Sequence, residues 1–166
     1  MAFLNYLRRL IVVLIMATWW GGFTFYALAV IPSGHQVLRS HVRQGFITQV
    51  VTRKLNWLGV VTLALALTET LSERRWPRRF RVSVGAWLIC VAAQASLFYL
   101  HPRMDALLDP ERMEVIDDMR YETLHLRYLC GATIGWSGAL ILLALATSRP
   151  GAPGGPSTSE AAKCVR

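Results

Sequence analysis

The sequence predicts an all-α integral membrane protein, a four-helix bundle with both termini in the cytoplasm. Of its 166 residues, 54% are hydrophobic and 17% are charged, and the mean hydropathy is +0.37. The apolar residues gather in four long runs, and a cluster of arginines lies between the second and third. Because soluble domains carry roughly 25% charged residues, this composition excludes a soluble enzyme, a disulfide scaffold and a disordered protein.

The four runs predict membrane-spanning helices at residues 10–31, 55–71, 82–100 and 128–147. Glu69, near the end of the second run, is their only charged residue. About 20 apolar residues cross a bilayer core of about 30 Å, and backbone groups in lipid must be paired within the segment, as in a helix. The second run is short, so we expect its helix to begin earlier, within residues 44–52. Residues 148–166, rich in Pro and Gly, are predicted to be a flexible tail.

A cleaved signal peptide is the alternative interpretation of the first run. Arg8 and Arg9 suit its basic start, and the segment 27–29 has the small-x-small form of a cleavage site. Against it, the apolar stretch is longer than the usual roughly 7–15 residues, and the bulky Phe25 and Tyr26 precede the site.

The orientation follows from five arginines between the second and third spans: Arg74, Arg75, Arg78, Arg79 and Arg81. Short basic loops stay in the cytoplasm, which places both termini there and the protein in the inner or plasma membrane. The net charge of +8 is therefore a topology signal and an attraction to anionic lipids. A nucleic-acid partner is not expected.

Small residues predict where the helices pack. Gly131, Gly135 and Gly138 lie on one face of the fourth span, and Gly22 lies in the first. Small residues let helices approach closely in lipid. They predict internal packing of the bundle, or a contact between copies of the chain.

Three tryptophans and a glutamine lie deep in the spans: Trp19, Trp20, Trp136 and Gln94. Tryptophan is usually found near lipid headgroups, so this depth is unusual. Either the rings fill the gaps left by glycines, or they form an aromatic wall around a lipophilic molecule such as a quinone, a drug or a lipid tail.

A candidate metal site combines histidines and carboxylates on the outer side: His101, Asp118, Glu122 and His125. Asp109-Pro110 resembles the start of a helix that would run on into the fourth span. On that helix the last three candidates would share one face. Such groups suit iron, zinc or copper.

Two alternatives to the metal site stay open. His101 and His125 would be the pair available to bind a haem b through its axial positions. Otherwise the candidates are interfacial residues that pair with nearby arginines: Arg103, Arg120 and Arg127. The cofactor is unknown, and the absence of any cofactor is the leading expectation.

Several short motifs resemble one family across residues 10–147: Trp20-x-Gly22, Phe25, Pro32, Pro102-Arg103-Met104 and Leu124-His125. This is the transmembrane protein 205-like family of small four-helix membrane proteins, whose domain is of unknown function. The resemblance carries over Pro32, Pro102, Arg103 and His125. The chain departs from the family at Tyr128 and Ala132, where the family has Ser and Asn. The link of the vertebrate member to platinum-drug resistance implies a metal-like or drug-like cargo.

We expect a non-enzymatic, multi-pass membrane protein that surrounds or positions a lipophilic or metal-related cargo. Membrane lipids are its expected surroundings, and it is expected to be a homo-oligomer or an accessory subunit of a larger membrane complex. The sequence lacks the motifs of hydrolytic triads, phosphate loops and metalloproteases. The alternative is a membrane redox protein that uses the outer histidines and carboxylates.

Overall fold

The computed structural model describes residues 2–148, in which four long helical segments form a bundle. The first consists of α1 (Ala2–Phe25), a π-helix (Tyr26–Val30) and α2 (Ile31–Leu38). The other three are α3 (His41–Ser72), α4 (Pro77–Asp105) and α5 (Asp118–Thr147). All four are long and apolar enough to cross a membrane, and this confirms the predicted helical architecture at that level.

Three short elements connect the long helices. A 3₁₀ turn (Glu73–Arg75) joins α3 to α4, while α2 and α3 meet at a tight turn in which Arg39 adopts a left-handed conformation. A small antiparallel hairpin of β1 (Leu108–Asp109) and β2 (Glu114–Val115) joins α4 to α5. Most of the predicted tail, residues 149–166, lies outside the described residues.

Each long helix is antiparallel to its neighbours, and the fourth packs against the first to close the ring. The contacts that show this order are Arg8–Glu69, Tyr26–Thr48, Thr52–His101, Trp87–Leu63, Cys90–Gly135 and Arg9–Ala146. The bundle therefore has an arginine end, with Arg9, Arg79 and Thr147, and a hairpin end, with the α2–α3 turn and the β-hairpin.

The most extensive helix contact joins α4 and α5. A Cβ atom added at Gly131, Gly135 or Gly138 would lie, in turn, 2.8 Å from Ser96 Oγ, 3.3 Å from Ala93 Cβ and 2.6 Å from Cys90 Sγ. At Gly22 the same atom would lie 3.6 Å from Leu55, which is an ordinary contact. Three of the four glycines predicted to pack therefore bring α4 and α5 together.

Polar groups lie inside the bundle and large apolar side chains lie outside. Asn56, Glu73 and Gln94 are buried, whereas Trp57 and Ile134 are more than half exposed. Buried polar groups and exposed apolar side chains are unfavourable in water, but the same distribution is favourable for helices surrounded by lipid.

One arginine of the predicted topology cluster points into the structure instead of outwards. Arg79 Nη2 donates to Glu73 Oε1 at 3.2 Å and to the Leu145 carbonyl at 2.6 Å, and Ser83 Oγ donates to Glu73 Oε2 at 2.6 Å. Arg9 Nη2 donates to the Ala146 carbonyl at 2.6 Å. The last carbonyls of a helix lack partners within it. Arg79 and Arg9 therefore satisfy the carbonyls at the end of α5 and join this end to α4 and α1.

The prediction of a helix that begins at Pro110 is wrong. Asp109 Oδ1 accepts hydrogen bonds from the backbone N–H groups of Glu111 and Arg112, at 2.9 and 3.1 Å, and so stabilises a turn. Asp and Pro start turns as readily as helices, and here the turn closes the hairpin. The helix begins at Asp118 instead, where Asp117 Oδ1 accepts from Arg120 N at 3.0 Å.

We predict that Gly59→Ala destabilises the protein although alanine favours helices by about 1 kcal/mol over glycine. The new Cβ would lie 2.9 Å from the Trp19 ring and 2.8 Å from Gln94 Oε1, and such overpacking costs about 1–3 kcal/mol. The control is Gly85→Ala, whose Cβ meets nothing within 4 Å. Thermal unfolding in one detergent should show a lower Tm for Gly59→Ala only. Equal Tm values for the two variants would contradict this packing.

Candidate ligand-binding cavity

A cavity of about 100 Å³ lies at the hairpin end, between all four long helices. Its polar lining residues are Tyr26, Thr48, Gln49, Thr52, His101, Asp105, Tyr121, His125 and Tyr128, and its apolar lining residues include Phe23, Ile31, Met104, Leu108 and Ala132. Ala27 and Leu129 also line it and are exposed on the outside of the bundle. We infer from these two exposed residues that the cavity opens at the side, between the first and last helices.

The π-helix shapes one wall of the cavity. Pro32 lacks an N–H group and its ring clashes with the carbonyl four residues earlier in a regular α-helix. The chain widens just before it, and Ile31 N donates to the Tyr26 carbonyl, five residues back. This directs Tyr26 into the bundle, where its hydroxyl donates to Thr48 Oγ1 at 2.8 Å. π-Helical segments are frequent at functional sites.

His101 is the most connected polar group of the cavity. Its Nδ1 lies 3.0 Å from Asp105 Oδ2, and Arg53 Nη2 donates to the same oxygen at 2.9 Å. Its Nε2 lies 3.1 Å from the Gln49 carbonyl and 3.3 Å from Thr52 Oγ1. These contacts hold the ring in one orientation, between Asp105 on one side and Gln49 and Thr52 on the other.

The order Thr52, His101, Asp105 resembles the hydroxyl, imidazole and carboxylate of a hydrolytic triad, an arrangement that sequence motifs did not reveal. In a triad the imidazole takes the proton of the hydroxyl. Here the Thr52 hydroxyl donates to the Thr48 carbonyl at 2.7 Å instead of to His101. This hydroxyl is therefore not activated as a nucleophile, and the network positions the side chains.

Within the described part of the chain, His125 is one of the polar groups of the cavity that remain free to bind a ligand, together with the Tyr121 hydroxyl and the Gln49 side chain. Its ring stacks on Tyr121, with centroids 6.0 Å apart and planes at 13°. Among residues 2–148, its ring nitrogens have no hydrogen-bond partner. A neutral imidazole offers one donor and one acceptor, so His125 suits a ligand group that can do both.

A second polar network lies below the cavity, towards the middle of the bundle. Asn56 Nδ2 donates to the Tyr128 hydroxyl at 3.1 Å, and Gln94 Nε2 donates to the Asn56 carbonyl at 2.9 Å. These bonds join α3, α4 and α5. They also fix the Tyr128 ring as the floor of the cavity.

The predicted metal ligands do not come together. No three His, Cys, Asp or Glu side chains in the described range 2–148 are close enough to hold a metal ion. His101 and His125 both line the cavity, whereas Asp118 and Glu122 are exposed on α5. The carboxylate that reaches the cavity is Asp105, four residues after His101, and this i, i+4 spacing was the available sequence signal.

The four residues predicted around a lipophilic molecule do meet, but in a packed core. Trp20 stacks on Trp136 with centroids 5.1 Å apart, and Trp136 Nε1 donates to Thr24 Oγ1 at 2.8 Å. With Trp19 and Gln94 they surround only about 10 Å³, which is enough for about one water molecule. The geometry favours the packing interpretation of these residues.

No protein-family model, curated protein or solved structure significantly matches this chain. The resemblance to the transmembrane protein 205-like family thus stays a prediction. The two positions at which the chain departs from that family, Tyr128 and Ala132, both line the cavity, as does His125. Pro32 follows the π-helix, and Pro102 lies within α4.

We predict that Asp105→Asn destabilises the hairpin end. The change removes the carboxylate shared by Arg53 and His101, and a partly buried group that loses a charged partner costs about 1–3 kcal/mol. Thermal unfolding should show a lower Tm than for the exposed control Glu122→Gln. If both variants have the Tm of the wild type, the network around His101 does not stabilise the fold.

Proposed function

We propose that this chain is a multi-pass membrane protein that binds a small amphipathic molecule in the cavity at the hairpin end. The single observation that carries the proposal is the composition of that cavity. It joins a free imidazole, His125, to an apolar wall that opens sideways between Ala27 and Leu129. In the proposed orientation the arginine end faces the cytoplasm and the protein lies in the inner or plasma membrane. The reason is that the basic loop belongs to the arginine end, and short basic loops stay on the cytoplasmic side.

The polar lining suits an uncharged head group that both donates and accepts hydrogen bonds, such as a hydroxyl, an amide or a quinol. His101 and Asp105 satisfy each other, and Tyr26 donates to Thr48. The remaining capacity includes His125 and the free lone pairs of the hydroxyl groups. A strongly charged head group would lose its interfacial water and enter a site without an unpaired opposite charge, which is unfavourable.

The size of the cavity limits what enters it. An engineered cavity of roughly 150 Å³ in another protein binds benzene, so about 100 Å³ accommodates a head group or a short chain. The rest of the molecule would extend through the side opening into the surrounding lipid. Access from lipid favours a lipophilic ligand over one dissolved in water.

Metal or haem binding is less well supported by the same geometry. Both nitrogens of His101 lie within hydrogen-bonding distance of other protein groups, so binding iron here would require one of these contacts to be broken. Sites that enclose a whole small molecule or cofactor commonly occupy roughly 300–1,000 Å³, so the cavity of about 100 Å³ has room for a head group but not for an enclosed haem. We therefore propose a binding or accessory role, in an oligomer or a larger membrane complex, in preference to redox chemistry.

We predict that Gly45→Leu blocks the cavity without disturbing the fold. Gly45 lines the cavity, and a Cβ there would lie 3.6 Å from the Tyr121 hydroxyl, so a leucine side chain has room to enter and fill it. Binding of octylphenol to the full chain in lipid nanodiscs, measured by calorimetry, should weaken by about tenfold or more, or about 1.4 kcal/mol.

The matched control is Gly21→Leu, since a Cβ at Gly21 meets nothing within 4 Å. This variant should bind octylphenol like the wild type. Binding that is equal in both variants, or absent from the wild type, would contradict the proposed site.

A further inference from the structure

An open, basic groove of about 630 Å³ lies on the outside of the bundle at the hairpin end, between α4 and α5. Its charged rim contains Arg103 from α4 and Arg120 and Arg127 from α5. Leu100 and Leu124 form its apolar floor. It is a separate site from the cavity, which opens between the first and last helices.

The three guanidinium groups have no acidic partner in the part of the chain that the structure describes. The carboxylate that lies in the groove, Asp117, already accepts a hydrogen bond from the backbone N–H of Arg120. On the hairpin side of the bundle, Asp105 is bound by Arg53 and His101. Because the three arginines outnumber the one carboxylate in the groove, its net charge is positive.

The arginines are arranged to act together. Arg103 lies over the Tyr99 ring, 3.3 Å from its centroid, and this cation–π contact holds its guanidinium at the rim. Arg120 and Arg127 are two helical turns apart on one face of α5, a separation of about 10 Å along the axis. A guanidinium is a planar donor that matches phosphate oxygens.

The groove also has the right depth for a lipid headgroup. The uncharged part of α5 begins at Tyr128, directly after Arg127, so in a bilayer the arginines would lie where the apolar core meets water. We propose that this groove binds the phosphate of an anionic phospholipid, with its acyl chains along the apolar surface below Leu100 and Leu124. Basic pockets between membrane helices on the cytoplasmic side bind such headgroups. In the orientation proposed above this groove faces the other leaflet, where the same pairing of guanidinium with phosphate applies. The proposal requires that the helices cross a membrane, but not that the cavity is occupied.

The test is native mass spectrometry of the delipidated full chain in detergent, titrated with phosphatidylglycerol, phosphatidylcholine or inorganic phosphate. The variant R103Q/R120Q/R127Q removes the rim. The matched control R39Q/R43Q/R112Q removes three exposed arginines at the same end, outside the groove. Thermal unfolding of each variant confirms that it is folded.

We expect wild type and control to bind phosphatidylglycerol about tenfold or more tightly than phosphatidylcholine. The groove variant should bind phosphatidylglycerol more weakly than the wild type by up to about 100-fold, because each of the three lost arginines is expected to weaken binding by at most about fivefold. Equal losses in both triple variants would show a general charge effect and overturn the proposal, as would no loss in the groove variant. Competition by millimolar inorganic phosphate would show that the occupant is free phosphate, which overturns the lipid assignment.

Discussion

The close approach of α4 and α5 at Gly131, Gly135 and Gly138 is the contact on which the rest of the bundle depends. At these positions it leaves no space for a side chain on α5, so the separation of the two helices is set by the α5 backbone against the small side chains of Cys90, Ala93 and Ser96 on α4. In lipid, helix association relies on such close packing and on polar contacts instead of water exclusion. The remaining faces of α4 and α5 contact the other two helices: Trp136 of α5 stacks on Trp20 of α1, and Gln94 of α4 donates to the backbone of α3.

The cavity forms where this close packing ends. Beyond Gly131, towards the hairpin end, α5 presents Tyr128 and His125, and the π-helix widens the first segment at Tyr26. Two networks then keep the space open: Arg53 and His101 share Asp105, while Asn56 holds the Tyr128 hydroxyl. These networks hold the lining side chains in place. A binding site needs such support, because unsupported side chains would otherwise move in and fill the space for the ligand.

The helices were predictable because hydropathy is a local property, whereas the cavity depends on how four helices align. Sequence placed His101 and His125 at the same end, yet the partner of His101 is Asp105 and not Asp118 or Glu122. The polar face of α3 at residues 48, 52 and 56, spaced four apart, was a readable signal. Two features could not be predicted from the sequence. The start of α5 depends on a hydrogen bond in a turn, and the close approach of Trp19 to Gly59 depends on contacts between helices.

The most direct test of the account is an experimental map of the protein in lipid nanodiscs, at a resolution that shows bound molecules. The account predicts density that enters between Ala27 and Leu129 and ends within hydrogen-bonding distance of His125. A cavity that contains only water, or that is filled by the protein's own side chains, would contradict it.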